Sequence, residues 1–244
     1  MQKFSIVLII FLFMFLNVNW MEAQNPEVSN KIEYYKNKYG KNCADEKITD
    51  NFGNGYDSLY GTRNMRTILY GIAYRGGANN FYHKTNKRDN HNPLPEDGLI
   101  NLAGQGFSTA VYLYSTNFAG SKKYFVNDKN KDTLNYYQIC GNNRNELKKI
   151  MLMVKDVIDN PDKGPIYFHC WNGWHQSGYI ASTILMQFCG ITNEQAFDYW
   201  MKNTDNVNKG YENVKKLVKT FKPFDDISFD ESTKKKICPC LGLK

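Results

Sequence analysis

Ile166-Tyr167-Phe168-His169-Cys170-Trp171-Asn172-Gly173-Trp174-His175-Gln176-Ser177-Gly178 is the most informative stretch of this 244-residue chain. Ile166-Tyr167-Phe168 reads as a short buried strand, and a helical pattern runs from Ser177 to Phe188 and stops near Gly190. The residues between them therefore form a strand-to-helix loop, which an α/β sheet places beyond the strand's carboxyl end, where ligands bind. Backbone N–H groups of such a loop can curl around one anion, and the following helix adds its positive end. A Cys170 held there sits in positive potential, which favours the nucleophilic thiolate. Gly173 permits tight curvature or close phosphate approach, and Ser177 is placed to hydrogen-bond the thiolate.

Working outward, a short helix is expected after Ser29, and Leu69 to Tyr74 reads as a strand ending at a turn, Arg75-Gly76-Gly77. Pro95 through Gln105 reads as a helix, Thr109 to Tyr114 as a buried strand, 121–133 as charged loop, and Leu134–Ile139 as another strand. Leu147, Ile150, Val154, Val157 and Ile158 fall at helical spacing. Thr192 with Gln195 is a capping-box signature for a helix to about Lys202, and Tyr211 to Phe221 is a further, basic helix. Strands alternating with helices predict a single α/β domain, with a mostly parallel central sheet flanked by helices. The expected layout is a signal peptide over 1–23, a polar extension over 24–64, a domain over 65–224 and a basic tail over 225–244.

The loop resembles the signature of the cysteine-based protein tyrosine and dual-specificity phosphatase superfamily, His-Cys-x5-Arg-Ser/Thr. His169, Cys170, Gly173, Ser177 and Gly178 match it in place. The resemblance implies a phosphatase-like fold, with Cys170 as nucleophile toward phosphorus. It implies that His169 sets the thiolate's surroundings and that Ser177 assists release of phospho-cysteine. Residues 171–176, namely Trp171, Asn172, Gly173, Trp174, His175 and Gln176, would then form the phosphate-binding loop. Trp171 and Trp174 serve either as pocket walls or as packing residues. Tyr74-Arg75-Gly76-Gly77 is similar to the family's entry strand. No cofactor or metal is implied, and His83, His91, His169 and His175 lack ligand spacing.

Two departures set the expected activity. The family's Arg falls at Gln176, a neutral side chain that cannot make a bidentate, charge-assisted grip on a phosphoryl group. The family's acidic residue belongs after the 134–139 strand, but Cys140-Gly141-Asn142-Asn143-Arg144 holds no carboxylate. Asp128 and Asp132 precede that strand and are the candidate general acids if the loop folds back. His175, Arg75 and Arg144 are candidates to replace the missing cation, each with an ordinary structural role as the alternative.

Composition narrows the partners. The chain carries 31 Lys+Arg against 24 Asp+Glu, for a formal charge of +7, which suits anionic ligands. No nucleic-acid recognition motif accompanies that charge, so a phosphorylated small molecule or phosphoprotein is expected in place of nucleic acid. His83 and His91, beside Lys84, Lys87 and Arg88, form a loop cluster that could meet an anionic substrate. The apolar run Phe4 to Leu16 is shorter than the roughly 20 residues a bilayer requires and reads as a signal-peptide core with cleavage after Ala23. Export, periplasmic or secreted, is expected, with no stable membrane span after cleavage. Exported cysteines can pair, and Cys43, Cys140, Cys189, Cys238 and Cys240 are the candidates. Three functions follow: a phosphomonoesterase acting through a Cys170 thiophosphate, an impaired relative that binds phosphorylated ligands, and a thiol-redox protein, for which no CxxC partner adjoins Cys170.

Overall fold

The computed structural model describes residues 26–79, 93–128 and 131–243. The apolar N-terminal run and the basic cluster over 83–91 lie outside the described residues. Among the described residues six strands form one mixed sheet in the order β1-β2-β6-β3-β5-β4: β1 (Thr62–Leu69), β2 (Ala73–Ala78), β3 (Thr109–Tyr112), β4 (Tyr124–Val126), β5 (Thr133–Gln138) and β6 (Ile166–Cys170). The four central strands are parallel, and β1 and β4 close the edges antiparallel. Seven α-helices are described: α1 (Pro26–Tyr39), α2 (Glu96–Gly104), α3 (Arg144–Asp159), α4 (His175–Cys189), α5 (Asn193–Lys202), α6 (Glu212–Thr220) and α7 (Glu231–Ile237). The expected single α/β domain with a mostly parallel centre is the fold found.

Side chains alternate across the buried strands, so each strand feeds two cores. Val111, Ile166 and Phe168 face a cluster with the apolar sides of α3, α4 and α5, including Ile150, Val154, Ile180, Ile184 and Trp200. Ala110, Tyr112, Tyr136 and Tyr167 face the opposite cluster, with Leu99 and Leu102 of α2 and Tyr35 and Tyr39 of α1. The capping box of α5 forms as its residues require: Gln195 N donates to Thr192 Oγ1 at 3.1 Å and Thr192 N to Gln195 Oε1 at 2.9 Å.

Three expectations need correction. Leu69 to Tyr74 is not one strand but the turn of a hairpin: Leu69 ends β1, and Ala73 opens β2. Arg75-Gly76-Gly77 lies inside β2, where the glycines answer a packing demand described below. The 121–133 segment contains β4, whose alternating exposure marks it as an edge strand. In the C-terminal segment, α7 buries Ile237 against the first core, and two disulfides, Cys43–Cys240 and Cys189–Cys238, fasten it to the N-terminal region and to the end of α4.

Candidate functional site

Cys170 ends β6, is 3% exposed and directs Sγ at Ser177 Oγ, 3.4 Å away in the first turn of α4. The loop between them is shaped by where its carbonyls go. His169 is fully buried, and its Nε2 lies 2.8 Å from the Tyr136 hydroxyl while Nδ1 lies 3.2 Å from Cys170 O. A carbonyl can only accept, so Nδ1 carries the proton and donates, and Tyr136 donates to Nε2. Burial pushes His169 down to about 3, only partly opposed by the Cys170 carbonyl bond, so the ring is neutral. Tyr112, Tyr136 and Tyr167 stack around it at 5.2, 5.7 and 5.8 Å.

The following carbonyls turn to the β1–β2 hairpin. Trp171 O accepts from Ala78 N at 2.9 Å, Asn172 O from Asn64 Nδ2 at 2.8 Å, and Trp174 O from Gly178 N at 3.1 Å and Arg75 Nη1 at 3.4 Å. In a trans peptide the N–H points opposite to the C=O. The amides of Asn172 and His175, opposite the Trp171 and Trp174 carbonyls, are therefore turned away from the hairpin, as donors for one anion at the N-terminus of α4.

That packing explains the glycines. A Cβ on Gly77 would lie 2.2 Å from Trp171 O, and one on Gly173 would lie 2.7 Å from Gly76 C, with Gly173 also at φ 77°. The loop can seat on β2 only because neither residue has a side chain.

Gln176 does not face these donors. Its Nε2 donates to Cys140 O at 2.6 Å and to Asn142 Oδ1 at 3.0 Å, so both amide protons go to the loop after β5. His175 likewise points outward: Nε2 donates to Val207 O, and the ring stacks on Tyr211 at 3.5 Å. Burial lowers its pKa, the Val207 bond opposes this, and Arg75 adds to it. Trp174 is tied by Nε1 to Asp205 Oδ2 at 3.2 Å, a packing contact. Burial works to raise the Asp205 carboxyl, but bonds from Lys47 and Asn51 outweigh it and leave the group below its ordinary value.

The remaining candidates separate. Asp128 and Asp132 sit on the β4–β5 hairpin, at the amino end of β5 and so at the opposite end of the parallel sheet from Cys170. The fold-back that would have made either one a general acid does not occur. Arg144 opens α3, donates to Lys222 O and to Pro223 O at 3.1 Å, and lies over the Phe224 ring at 3.6 Å. Arg75 is fully buried beneath the loop.

Two residues passed over in the sequence belong to the site. Asn64 lies in a bulge of β1 at φ 50°, fully buried, with its amide on the loop. Tyr114 follows β3 beside Cys170; desolvation pushes its phenol well above the ordinary value, with Cys170 and Tyr211 adding to the shift. An Asn in an otherwise regular strand was the available signal for the first, since Asn tolerates the left-handed region.

No protein-family model matches the chain, and no curated protein matches it in sequence. Solved structures are similar to it in structure. The crystal structure of P. aeruginosa TpbA is similar at 12% identity and a TM-score of 0.42, covering 64% of this chain and 86% of that one. Tk-PTP in the active form is similar at 15% identity and 0.43, covering 64% and 93%. The core catalytic domain of the PP-IP phosphatase SIW14 from S. cerevisiae, in complex with citrate, is similar at 15% identity and 0.41, covering 65% and 85%.

Proposed function

We propose that this protein captures a phosphorylated small molecule or phosphoprotein in the 170–177 loop and hydrolyses it slowly or not at all. One observation carries this reading: Gln176 spends both amide protons on Cys140 O and Asn142 Oδ1. The loop keeps its backbone donors, which suffice to bind an oxoanion. It lacks the cation that would hold the three equatorial oxygens as charge develops. Loss of one preorganised donor costs on the order of 10²–10³ in rate. Residues 140–144 also offer the leaving oxygen no carboxylic acid.

A second reading, slow phosphomonoesterase, draws support from the Cys170–Ser177 contact of 3.4 Å. Cys170 Sγ would attack phosphorus, the P–O bond would break and its oxygen would take a proton from water. Water would then cleave the S–P bond, with Ser177 stabilising the departing sulfur. No cofactor enters either reading.

Titration of the protein with inorganic phosphate and vanadate, beside turnover of an aryl phosphate, tests the proposal. Anion binding with little turnover, and turnover gained in Gln176→Arg, is the expected result. Wild-type turnover at ordinary phosphatase rates (roughly 1–10³ s⁻¹), abolished in Cys170→Ser, would establish the enzyme instead. Indifference to both anions would remove both readings.

We also infer that the protein acts outside the cytoplasm. The Phe4 to Leu16 run and two disulfides support this, because such bridges persist in oxidising compartments. Among the described residues no helix is long and apolar enough to cross a membrane.

A further inference from the structure

Arg75 is a charged side chain with 0% exposure, and its Nε and Nη2 have no hydrogen-bond partner among the described residues. Burying a guanidinium is costly unless it is paired. Among the described residues its hydrogen bond is the long one from Nη1 to Trp174 O. The space it fills is defined from several sides. A Cβ on Gly178 would lie 2.8 Å from Nη1, and the Tyr199 ring centre lies 5.4 Å from Cζ. Its charge acts on Arg66 of β1, Tyr167 of β6 and His175 of α4. The carboxylate beside Arg66, Asp205, is engaged by Lys47 at 2.7 Å, by the Trp174 indole and by Arg66 at 3.7 Å. Burial and the charge of Arg75 lower Arg66 to about 10, which leaves it cationic near neutrality.

Asn64 complements Arg75. The β1 register slips between Arg63 and Arg66, and Asn64 stands in the slip with its backbone N donating to Asp50 O at 2.8 Å and its carbonyl accepting from Arg66 Nη1 at 3.2 Å. This turns its side chain onto Asn172 O. A bulge that re-aims one side chain is a device that sheets use beside functional sites.

We propose that the β1–β2 hairpin sets the anion affinity of the Cys170 loop: Asn64 and Arg75 hold the Asn172 and Trp174 carbonyls outward, and the buried Arg75 guanidinium lends from beneath the positive charge that Gln176 does not supply. Both are positioning residues, and the proposal rests on the reading of the loop as an oxoanion site. A guanidinium stays charged throughout the working pH range. The field it adds favours a dianion over a monoanion.

The test is the affinity for inorganic phosphate, measured by calorimetry at pH values on both sides of its second ionisation, in wild type, Arg75→Met, Arg75→Lys and Asn64→Ala. Wild-type affinity should rise with pH as the dianion forms. Arg75→Met should lose on the order of 10- to 100-fold for the dianion and flatten the rise, and Arg75→Lys should restore much of the slope. Asn64→Ala should weaken binding to a similar degree at every pH. Near-UV circular dichroism reports folding; if Arg75→Met does not fold, Arg75→Lys and Asn64→Asp decide. Asn64→Asp should then bind the dianion at least tenfold more weakly than wild type, since its carboxylate repels the anion. Variants that keep the wild-type affinity and pH profile, in protein whose wild type binds phosphate, overturn this proposal alone. Absence of binding by the wild type overturns the oxoanion reading beneath it.

Discussion

Gln176 Nε2 lies 3.0 Å from Asn142 Oδ1, and the same nitrogen lies 2.6 Å from Cys140 O. Two neutral amides thus join the first turn of α4 to the loop after β5. That loop is held from its other side as well: Asn142 N donates to Glu146 Oε2 at 3.1 Å, and the Tyr179 hydroxyl donates to Gly141 O at 3.3 Å. Position 176, where the resemblance calls for a cation, and the loop after β5, where it calls for an acid, are near one another, and the two side chains that join them, Gln176 and Asn142, are both neutral.

The latch predicts a coupled gain. Gln176→Arg should raise aryl-phosphate turnover by about tenfold or more, toward the 10²–10³ span that one preorganised donor is worth. Adding Asn142→Asp supplies an acid and should raise it further than the two single effects combined. A double-mutant cycle on kcat measures this, and strictly independent effects would show that the latch is not a functional unit.

Ser177 should matter to turnover more than to binding. Ser177→Ala removes the partner 3.4 Å from Cys170 Sγ and leaves every loop carbonyl contact in place. Phosphate affinity should stay within about twofold, while any thiophosphate formed should persist longer. Rapid-quench kinetics would show this as a burst of released phenol.

His169 makes stability depend on acid. Its folded value of about 3 lies below its ordinary 6.5. As pH falls below about 6.5 the unfolded chain takes up the proton first. The contribution is whole above that pH and is lost at up to about 1.4 kcal/mol per pH unit toward pH 3. Urea melts across this range should show the decline, and His169→Gln should shallow it. An unchanged slope in that variant would mean that His169 is not buried neutral.

The disulfides should account for much of the C-terminal order. Cys189–Cys238 closes 49 residues and Cys43–Cys240 closes 197. Replacing Cys189 and Cys238 by Ser should cost about 2–4 kcal/mol. Hydrogen exchange should quicken first in α7, whose Ile237 carbonyl accepts from Tyr70 N at 2.8 Å. Phosphate binding should survive, because that bridge touches no loop carbonyl.

Gly77→Ala should harm the site directly. Its Cβ would meet Trp171 O at 2.2 Å, Asn172 C at 2.6 Å and Gly173 N at 2.7 Å, all backbone atoms that cannot rotate aside. A stability loss of about 1–3 kcal/mol should accompany a larger fractional loss of phosphate binding. Wild-type binding in this variant would separate the loop's seating from its donors.

The chemistry-bearing segment was legible because it is local. A β-branched and aromatic run before His169, a helical pattern after Ser177 and the glycines between them require only neighbours in the chain. The capping box of α5 was legible for the same reason. Arg75-Gly76-Gly77 misled, because glycines read as a turn when their use is to admit another backbone. β4 escaped notice because an edge strand of three residues amid charge has almost no periodicity.

By itself the sequence determined a Cys at a strand end, a Ser seven residues on, a neutral residue where a cation was expected and no acid over 140–144. Only the tertiary structure decided where those groups point. Parallel pairing of β2 with β6 laid Gly76 and Gly77 beneath the loop. A bulge brought Asn64 onto a carbonyl 108 residues away, and the parallel direction of β5 and β6 put Asp128 and Asp132 at the far end. Backbone propensity and side-chain period act over a few residues, whereas the partner of a polar group is chosen by which strands lie side by side. Gln176 lacks the charge by its own chemistry; that its amide is turned to Asn142, and that Arg75 lies buried below, are results of packing.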